Sequence, residues 1–455
     1  MKRIVVKEFD TIICNPDYKD NKSFIYLDKK LFSELEHFIK DYQSKESETD
    51  ILEFMRMGYR RGVGDTISFN SFVGMIELPS GFQMEILPKV PLDHDEDNKK
   101  TKRLFLDMLR CLKDFEGKSF GKASIDTDKM NLYEIFIRMY LQETRALVKR
   151  GLKSSYISQE ENLNYFKGKL QMGRHIRMNS SHKERFFMQY DEYQMNRPEN
   201  RLIKATLQKL QRISTSAENQ KEIRQLLYSF EMVEPSMNYE KDFAGIVIAR
   251  DNREYELLIA WAKAFLLNKS FTTFSGETTG RAILFPMEQV FEAFVAKWIK
   301  HYFAEWSSKQ LQVTAQDRGF YLFDEPKRFR LRPDIVIRDR ENNNQPVILD
   351  TKWKRLNADP RGNYGISQAD MYQMYAYAKK YDSSDIWLIY PYHDEVSRVG
   401  NISYNAHEAD KSINVHVFMI DLENWKNSLR MLYDSMVSIE MIHKVNRECF
   451  ERNQV

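Results

Sequence analysis

The sequence predicts a multidomain α+β protein. The expected parts are a β-rich N-terminal domain (residues 1–125), a mainly helical middle domain (126–280) and a mixed α/β C-terminal domain (281–455). Three observations carry this expectation. Short Val-, Ile- and Phe-rich runs broken by Pro and Gly fill the first part. Apolar residues recur at helical spacing through the second. In the third, helix-length and strand-length segments alternate, as they do when helices cover the faces of a mixed sheet.

Composition narrows the class. With 42% hydrophobic and 13% aromatic residues in 455, the chain can bury a sizeable core and reads as globular. Lys and Arg number 69 against 66 Asp and Glu, so any nucleic-acid surface must be a local patch. Cys14, Cys111 and Cys449 are far apart, which argues against a Cys-based zinc site, a Cys-ligated cluster or a disulfide framework. The apolar run before Asp10 is too short for a signal-peptide core, and no stretch is long enough to span a bilayer. The expectation is a soluble, cytoplasmic protein with no membrane partner.

The elements follow in order. GDTISFNSFVGMIELPSGFQMEILPKV offers short strands around a turn at Pro79–Gly81, and LDHDEDNKKTK (92–102) is a charged loop before a helix around Arg103–Phe115. In the middle, Leu132, Ile135, Phe136, Met139, Tyr140 and Leu147 form one helical stripe; Leu202, Ile203, Leu207 and Leu210 form another. EYELLIAWAKAFLLNKS closes this block, and SGETTG (275–280) reads as a linker. The third part opens with a helix expected over 283–303, followed by strands at 331–338, 346–353 and 386–390, with a helix at about 367–380 before the last strand.

Charged residues interrupt two of those strands. Side chains alternate along a strand, so Asp350 and Lys352 share one face, ~6.6 Å apart along it, with Thr351 and Trp353 on the other. A hairpin symmetric about Asn342 sets Asp334 opposite Asp350, with Cβ atoms ~4.5–5.5 Å apart. Opposed carboxylates repel unless a proton or cation sits between them, and a Mg²⁺ ion would satisfy both oxygens. Lys352 beside it suits charge developing on a phosphate. The competing reading is an Asp–Lys ion pair at a sheet edge.

Neighbouring residues extend this pattern. Glu288 and Glu292 lie four apart on the preceding helix, hence on one face. Lys327, Arg328, Arg330 and Arg332 supply four cations just before Asp334, able to meet phosphates or simply to solvate a strand edge. Gln373 and Tyr377 share a face of the later helix, where surface polarity beside a core aromatic is the alternative.

A helix acid, then PD, then DxK, then a Gln-bearing helix is the order of the PD-(D/E)xK nuclease fold. In detail the chain resembles the McrC family, the nuclease subunit of McrBC-type, modification-dependent restriction systems. The resemblance runs through YFKGKLQMGRHIRMN (165–179), MNRPENRLIKATLQKL (195–210), FPMEQVFEAFV (285–295), RPDIVI, ILDTKWK and IYPYHD (389–394), in the family's order. It implies a PD-(D/E)xK-like C-terminal domain that cleaves DNA, modified DNA in particular. Metal-binding aspartates carry over onto Asp334 and Asp350, and a catalytic lysine onto Lys352. For the helix acid the preferred residue is Glu292, with Glu288 as the fallback. Lys354 of ILDTKWK joins the expected DNA contacts, and Gln373 and Tyr377 form an active-site helix.

The implied cofactor is Mg²⁺, with Mn²⁺ as a substitute. The implied partner is an McrB-like hexameric AAA+ GTPase that this subunit docks on and stimulates, with the N-terminal and middle regions as natural contact surfaces. The chain has no phosphate loop of its own, since GKS at 117–119 lacks the upstream glycine. Two other functions fit less of the pattern: a stand-alone RecB/Cas4-like nuclease, often a four-cysteine cluster protein, and a non-catalytic adaptor that only activates the motor.

Overall fold

The structure, a computed structural model, describes residues 3–44, 55–90, 92, 98–112, 130–247, 250–267, 281–307, 311–339, 345–394, 402–407 and 412–452. GKS at 117–119, the 275–280 linker and residues 340–344 of the polar loop lie outside these. The chain is a mixed α/β protein with several sheets. No described helix is long and apolar enough to cross a membrane.

Two four-stranded sheets build the N-terminal part. One is ordered Ile25–Tyr26, Thr11–Ile13, Gly64–Phe69, Met55–Arg60; the other is Arg3–Lys7, Gln83–Leu87, Phe72–Glu77, Arg281–Pro286. The helix Lys29–Ser44 packs Phe32, Leu35, Phe38 and Ile39 against them in one buried cluster. The helix expected over 103–115 runs over Lys99–Leu109. The last strand of the second sheet corrects an expectation. Residues 283–286, read as the start of a helix, pair antiparallel with Phe72–Glu77, and the helix is Met287–Trp306. Pro286 accounts for the switch, because its fixed φ and missing N–H suit the residue just before a helix. The two strands meet closely at Gly74, where a Cβ would fall 2.0 Å from the Ile283 carbonyl oxygen.

The middle helices form at the apolar stripes: Leu132–Arg150, Pro198–Ile213 and Glu256–Leu267, with Ala217–Ser229 between the last two. Asn131 caps the first by accepting from the Glu134 N–H at 2.7 Å. This region is not only helical. A three-stranded sheet of Ser155–Leu163, Phe186–Gln194 and Lys169–Leu170 is set into it, with the helix Met172–Asn179 against it. Much of it is solvated, with Tyr156 and Tyr193 exposed, so its strands lack the apolar alternation that announces a half-buried sheet.

The C-terminal sheet has six strands, ordered Leu311–Ala315, Ile335–Asp339, Val347–Thr351, Asp385–Pro391, Ser412–Ile420, Ile402–His407. Alternation divides its core. Ile335, Ile337, Leu349 and Ile389 face Phe291 and Phe294 of the Met287–Trp306 helix, in a cluster continuous with the middle helices. Val336, Ile348, Ile386 and Leu388 face Met374, Tyr377 and Tyr381 of the helix Gln368–Tyr381. Layering of this kind buries both faces of the central strands, which is why Val347–Thr351 and Asp385–Pro391 read as near-continuous apolar runs.

Candidate active site

The central hairpin has the register the sequence suggests. Ile335 pairs with Leu349, Val336 with Ile348 and Ile337 with Val347, so one step further Asp334 comes across from Asp350. Asp334 has left the ladder, and its Oδ2 accepts from the Thr351 N–H at 2.7 Å and the Thr351 hydroxyl at 2.6 Å. Asp350 is 2% exposed, and its Oδ2 has no hydrogen bond of good geometry. That oxygen is met instead by the Lys352 ammonium as an ion pair at 2.5 Å.

Lys352 is the hub. Its Nζ also donates to Gln373 Oε1 at 2.9 Å and lies 3.9 Å from Asp370, while Gln373 Nε2 donates to the Tyr377 hydroxyl at 2.9 Å. The helix Gln368–Tyr381 thus holds the lysine head against the strand, through the two residues the sequence singles out and through Asp370. Asp370 is the site residue that the sequence reading missed; its position one turn before Gln373 was the available signal. It also binds Lys354 at 2.8 Å, so the expected DNA contact Lys354 is engaged with a buried carboxylate.

The electrostatics follow from burial. Burial first, then the neighbouring Asp334 charge, lifts the Asp350 carboxyl to about 7. Burial likewise raises Asp334, against its bonds from Thr351. For Lys352 burial works the other way, yet the carboxylates of Asp350, Asp334 and Asp370 outweigh it and raise its pKa. Lys354, with help from Ser367 and Lys352, holds Asp370 below its usual range despite burial.

The two candidate helix acids separate cleanly. Glu292 lines a cleft of about 590 Å³ together with Asp334, Gln316 and Arg332, and its Oε1 accepts from Gln316 Nε2 at 2.6 Å. Gln316 in turn donates its backbone N–H to the Asp334 carbonyl at 2.7 Å, and its side chain accepts from Arg332. Glu288 turns elsewhere: Ser71 of the N-terminal part donates to it, and it sits near Glu8. Among the described residues, no three His, Cys, Asp or Glu side chains converge as a complete metal-ligand cluster. The donor set is two carboxylates from facing strands, Asp334 braced by Thr351 and Asp350 paired with Lys352. That set fits a hard cation that keeps several of its waters.

Arg328 and Arg330 lie on an exposed two-stranded hairpin, Tyr321–Phe323 with Arg328–Arg330, and Lys327 precedes them, also exposed. Arg330 is held by the Arg318 carbonyl at 3.0 and 2.9 Å and lies over the Tyr321 ring at 5.4 Å. A second contact escaped the sequence. The Trp353 indole N–H donates to Glu8 at 2.8 Å across 345 residues. Glu8 is fully buried, and burial lifts its carboxyl to about 8.

Fold and site together define a mixed α/β protein with a carboxylate–lysine centre at the end of its largest sheet. The chain belongs to the family described as the McrBC 5-methylcytosine restriction system component, whose sequence model matches residues 67–391. Among solved structures, it is similar to a half-complex from the tetradecameric assembly of Thermococcus gammatolerans McrB AAA+ hexamers with bound McrC. That match has a TM-score of 0.61 and 20% identity, over 95% of this chain and 100% of the other. A match to the cryo-EM structure of the Thermococcus gammatolerans McrBC complex has a TM-score of 0.45 and 21% identity, over 66% of this chain and 87% of the other. No curated protein matches.

Proposed function

We propose that this chain is the DNA endonuclease subunit of an McrBC-type restriction system, with a PD-(D/E)xK nuclease centre in its C-terminal part. The observation that supports this most directly is Lys352, held between Gln373 and buried Asp350, with Asp334 across the strands from Asp350. A sheet-edge ion pair would expose this lysine; here one helix packs to position it. Asp334 and Asp350 would hold Mg²⁺, or Mn²⁺ in its place, with Glu292, which lines the same cleft as Asp334, as the third acid. The ion supplies Lewis acidity to a phosphodiester and a water of lowered pKa.

The chain's own residues do the rest. Thr351 fixes the Asp334 carboxylate, and Gln373 and Asp370 fix the Lys352 head, so its charge is aimed where a phosphate gains negative charge. Lys327, Arg328, Arg330 and Arg332 flank the centre and would bind the DNA backbone.

The structurally similar McrC is bound to McrB AAA+ hexamers, and family membership supports the same kind of partner here: a GTPase ring that this subunit docks on and stimulates. The N-terminal unit and the middle unit with its exposed three-stranded sheet would make that contact, leaving the C-terminal unit for cleavage.

The test is cleavage of 5-methylcytosine-containing plasmid in Mg²⁺ by wild type and Asp350→Asn, each with and without the cognate AAA+ protein and GTP. Cleavage by wild type only in the complete mixture, and none by the variant, is the expected result. Equal cleavage by Asp350→Asn would remove the site assignment. Cleavage by wild type alone would point to a stand-alone nuclease.

A further inference from the structure

The hairpin of Tyr321–Phe323 and Arg328–Arg330 is the outer continuation of the ladder that ends at Asp334. Leu311–Ala315 pairs with Ile335–Asp339, Gln316 bonds the Asp334 carbonyl, Leu331 bonds the Phe320 carbonyl at 3.0 Å, and the hairpin pairs follow. Its root is fixed. Phe320 packs tilted against Tyr381 with ring centroids 4.5 Å apart, and the Tyr381 hydroxyl donates to Asp317 at 2.9 Å; at the turn, Lys380 meets Asp324 at 2.7 Å.

Its outer part is chemically odd for a solvated turn. Phe329 is 72% exposed and Phe323 55%, and their rings meet edge-to-face at 5.9 Å. Phe329 also adopts a left-handed φ of 56°, unfavourable for a bulky side chain. Segment 321–332 carries four cations, Lys327, Arg328, Arg330 and Arg332, against two carboxylates, Asp324 and Glu325. Two large apolar rings held in water on a basic, anchored hairpin are a poor surface for a lone protein and a suitable one for stacked bases flanked by phosphates.

We propose that this hairpin is an aromatic wedge for duplex DNA, in which Phe329, backed by Phe323, enters the base stack while Lys327, Arg328 and Arg330 hold the flanking phosphates. The proposal rests on the nuclease reading above. Phe329 is five residues from Asp334, at most ~17 Å along extended chain, so the unstacked step would lie within about five base pairs of the cut. The wedge is therefore a positioning device: it would fix where along the duplex the phosphodiester meets the carboxylates.

The experiment uses the full chain carrying Asp350→Asn, alone and with its AAA+ partner, on duplexes with 2-aminopurine at successive positions. Fluorescence reports unstacking, and anisotropy reports binding. The expected result is a fluorescence rise confined to one or two adjacent positions. Adding Phe329→Ala should abolish the rise at saturating protein and weaken binding about 10-fold, with an unchanged salt slope; Phe329→Trp should restore both. Tight DNA binding with no rise at any position overturns the wedge and leaves the nuclease reading standing, as does a rise that persists in Phe329→Ala. Absence of DNA binding in every arm overturns both. Loss of GTPase stimulation in Phe329→Ala, with no rise in the parent, would assign the hairpin to the protein partner instead.

Discussion

Replacing Lys352 by Met tests the electrostatic account of the site without any substrate. The methionine keeps much of the stem's volume and removes the ammonium that meets buried Asp350 at 2.5 Å. In the wild type the Asp350 carboxyl, ordinarily at 3.8, sits at about 7, so the folded protein loses stability as pH rises through that window and no further above it. Without Lys352 the carboxylate is deprived of its main cationic partner and holds its proton to higher pH. The variant's deficit should therefore be small at pH 5.5, where Asp350 is protonated in both proteins, and grow above pH 7. Linkage limits the growth to about 1.4 kcal/mol per pH unit, or about 2 kcal/mol between pH 7 and 8.5. Urea melts in a chelating buffer, followed by tryptophan fluorescence at both pH values, measure it. A deficit that is equal at the two pH values would refute the reasoning, since it would mean that Asp350 does not titrate against Lys352.

Other expectations follow from neighbouring side chains. Glu8→Ala should lower stability by about 1–3 kcal/mol by orphaning the Trp353 indole and the Lys89 N–H, whereas Glu8→Gln keeps an acceptor. Because burial lifts Glu8 from 4.5 to about 8, the neutral form is the native one; Glu8→Gln should gain on wild type as pH rises through that range in thermal melts. Gly74→Ala drives a Cβ into the Ile283 carbonyl oxygen and should destabilise by more than about 2 kcal/mol, detaching the 281–286 strand, which calorimetry would register. Reversing both Arg328 and Arg330 should lower the salt slope of DNA binding by about 0.9 for each phosphate they neutralise in the wild type; an unchanged slope would return them to a solvated edge.

What the sequence disclosed depended on periodicity and proximity. The helices Leu132–Arg150, Pro198–Ile213 and Glu256–Leu267 were legible because each carries an unbroken apolar stripe. Asp334, Asp350 and Lys352 were legible because charges inside β-rich runs need a reason, and the flanking strands pair in the register that brings Asp334 across from Asp350. The small sheet around Phe186–Gln194 was not legible, since its buried residues Phe187, Met188 and Tyr190 do not alternate with polar ones and Ser155–Leu163 beside it is largely polar. Nor was Arg281–Pro286, a strand paired across some 200 residues whose apolar run continues into a helix. Glu8 could not have been connected to Trp353 at all, because nothing local marks a buried carboxylate whose partner is 345 residues away.

The same short strand has a mechanical meaning. Arg281–Pro286 is stitched into the N-terminal sheet, and Met287 opens the helix that carries Glu292. No slack separates them, so the sheet is the shoulder of a lever and the helix its arm. Glu292 sits about 7.5 Å along that arm at ~1.5 Å per residue, and a 5° tilt of the shoulder moves it by about 0.7 Å. Any force on the N-terminal sheet is thus passed stiffly to the spacing of Glu292 and Asp334, with no need for a hinge between them.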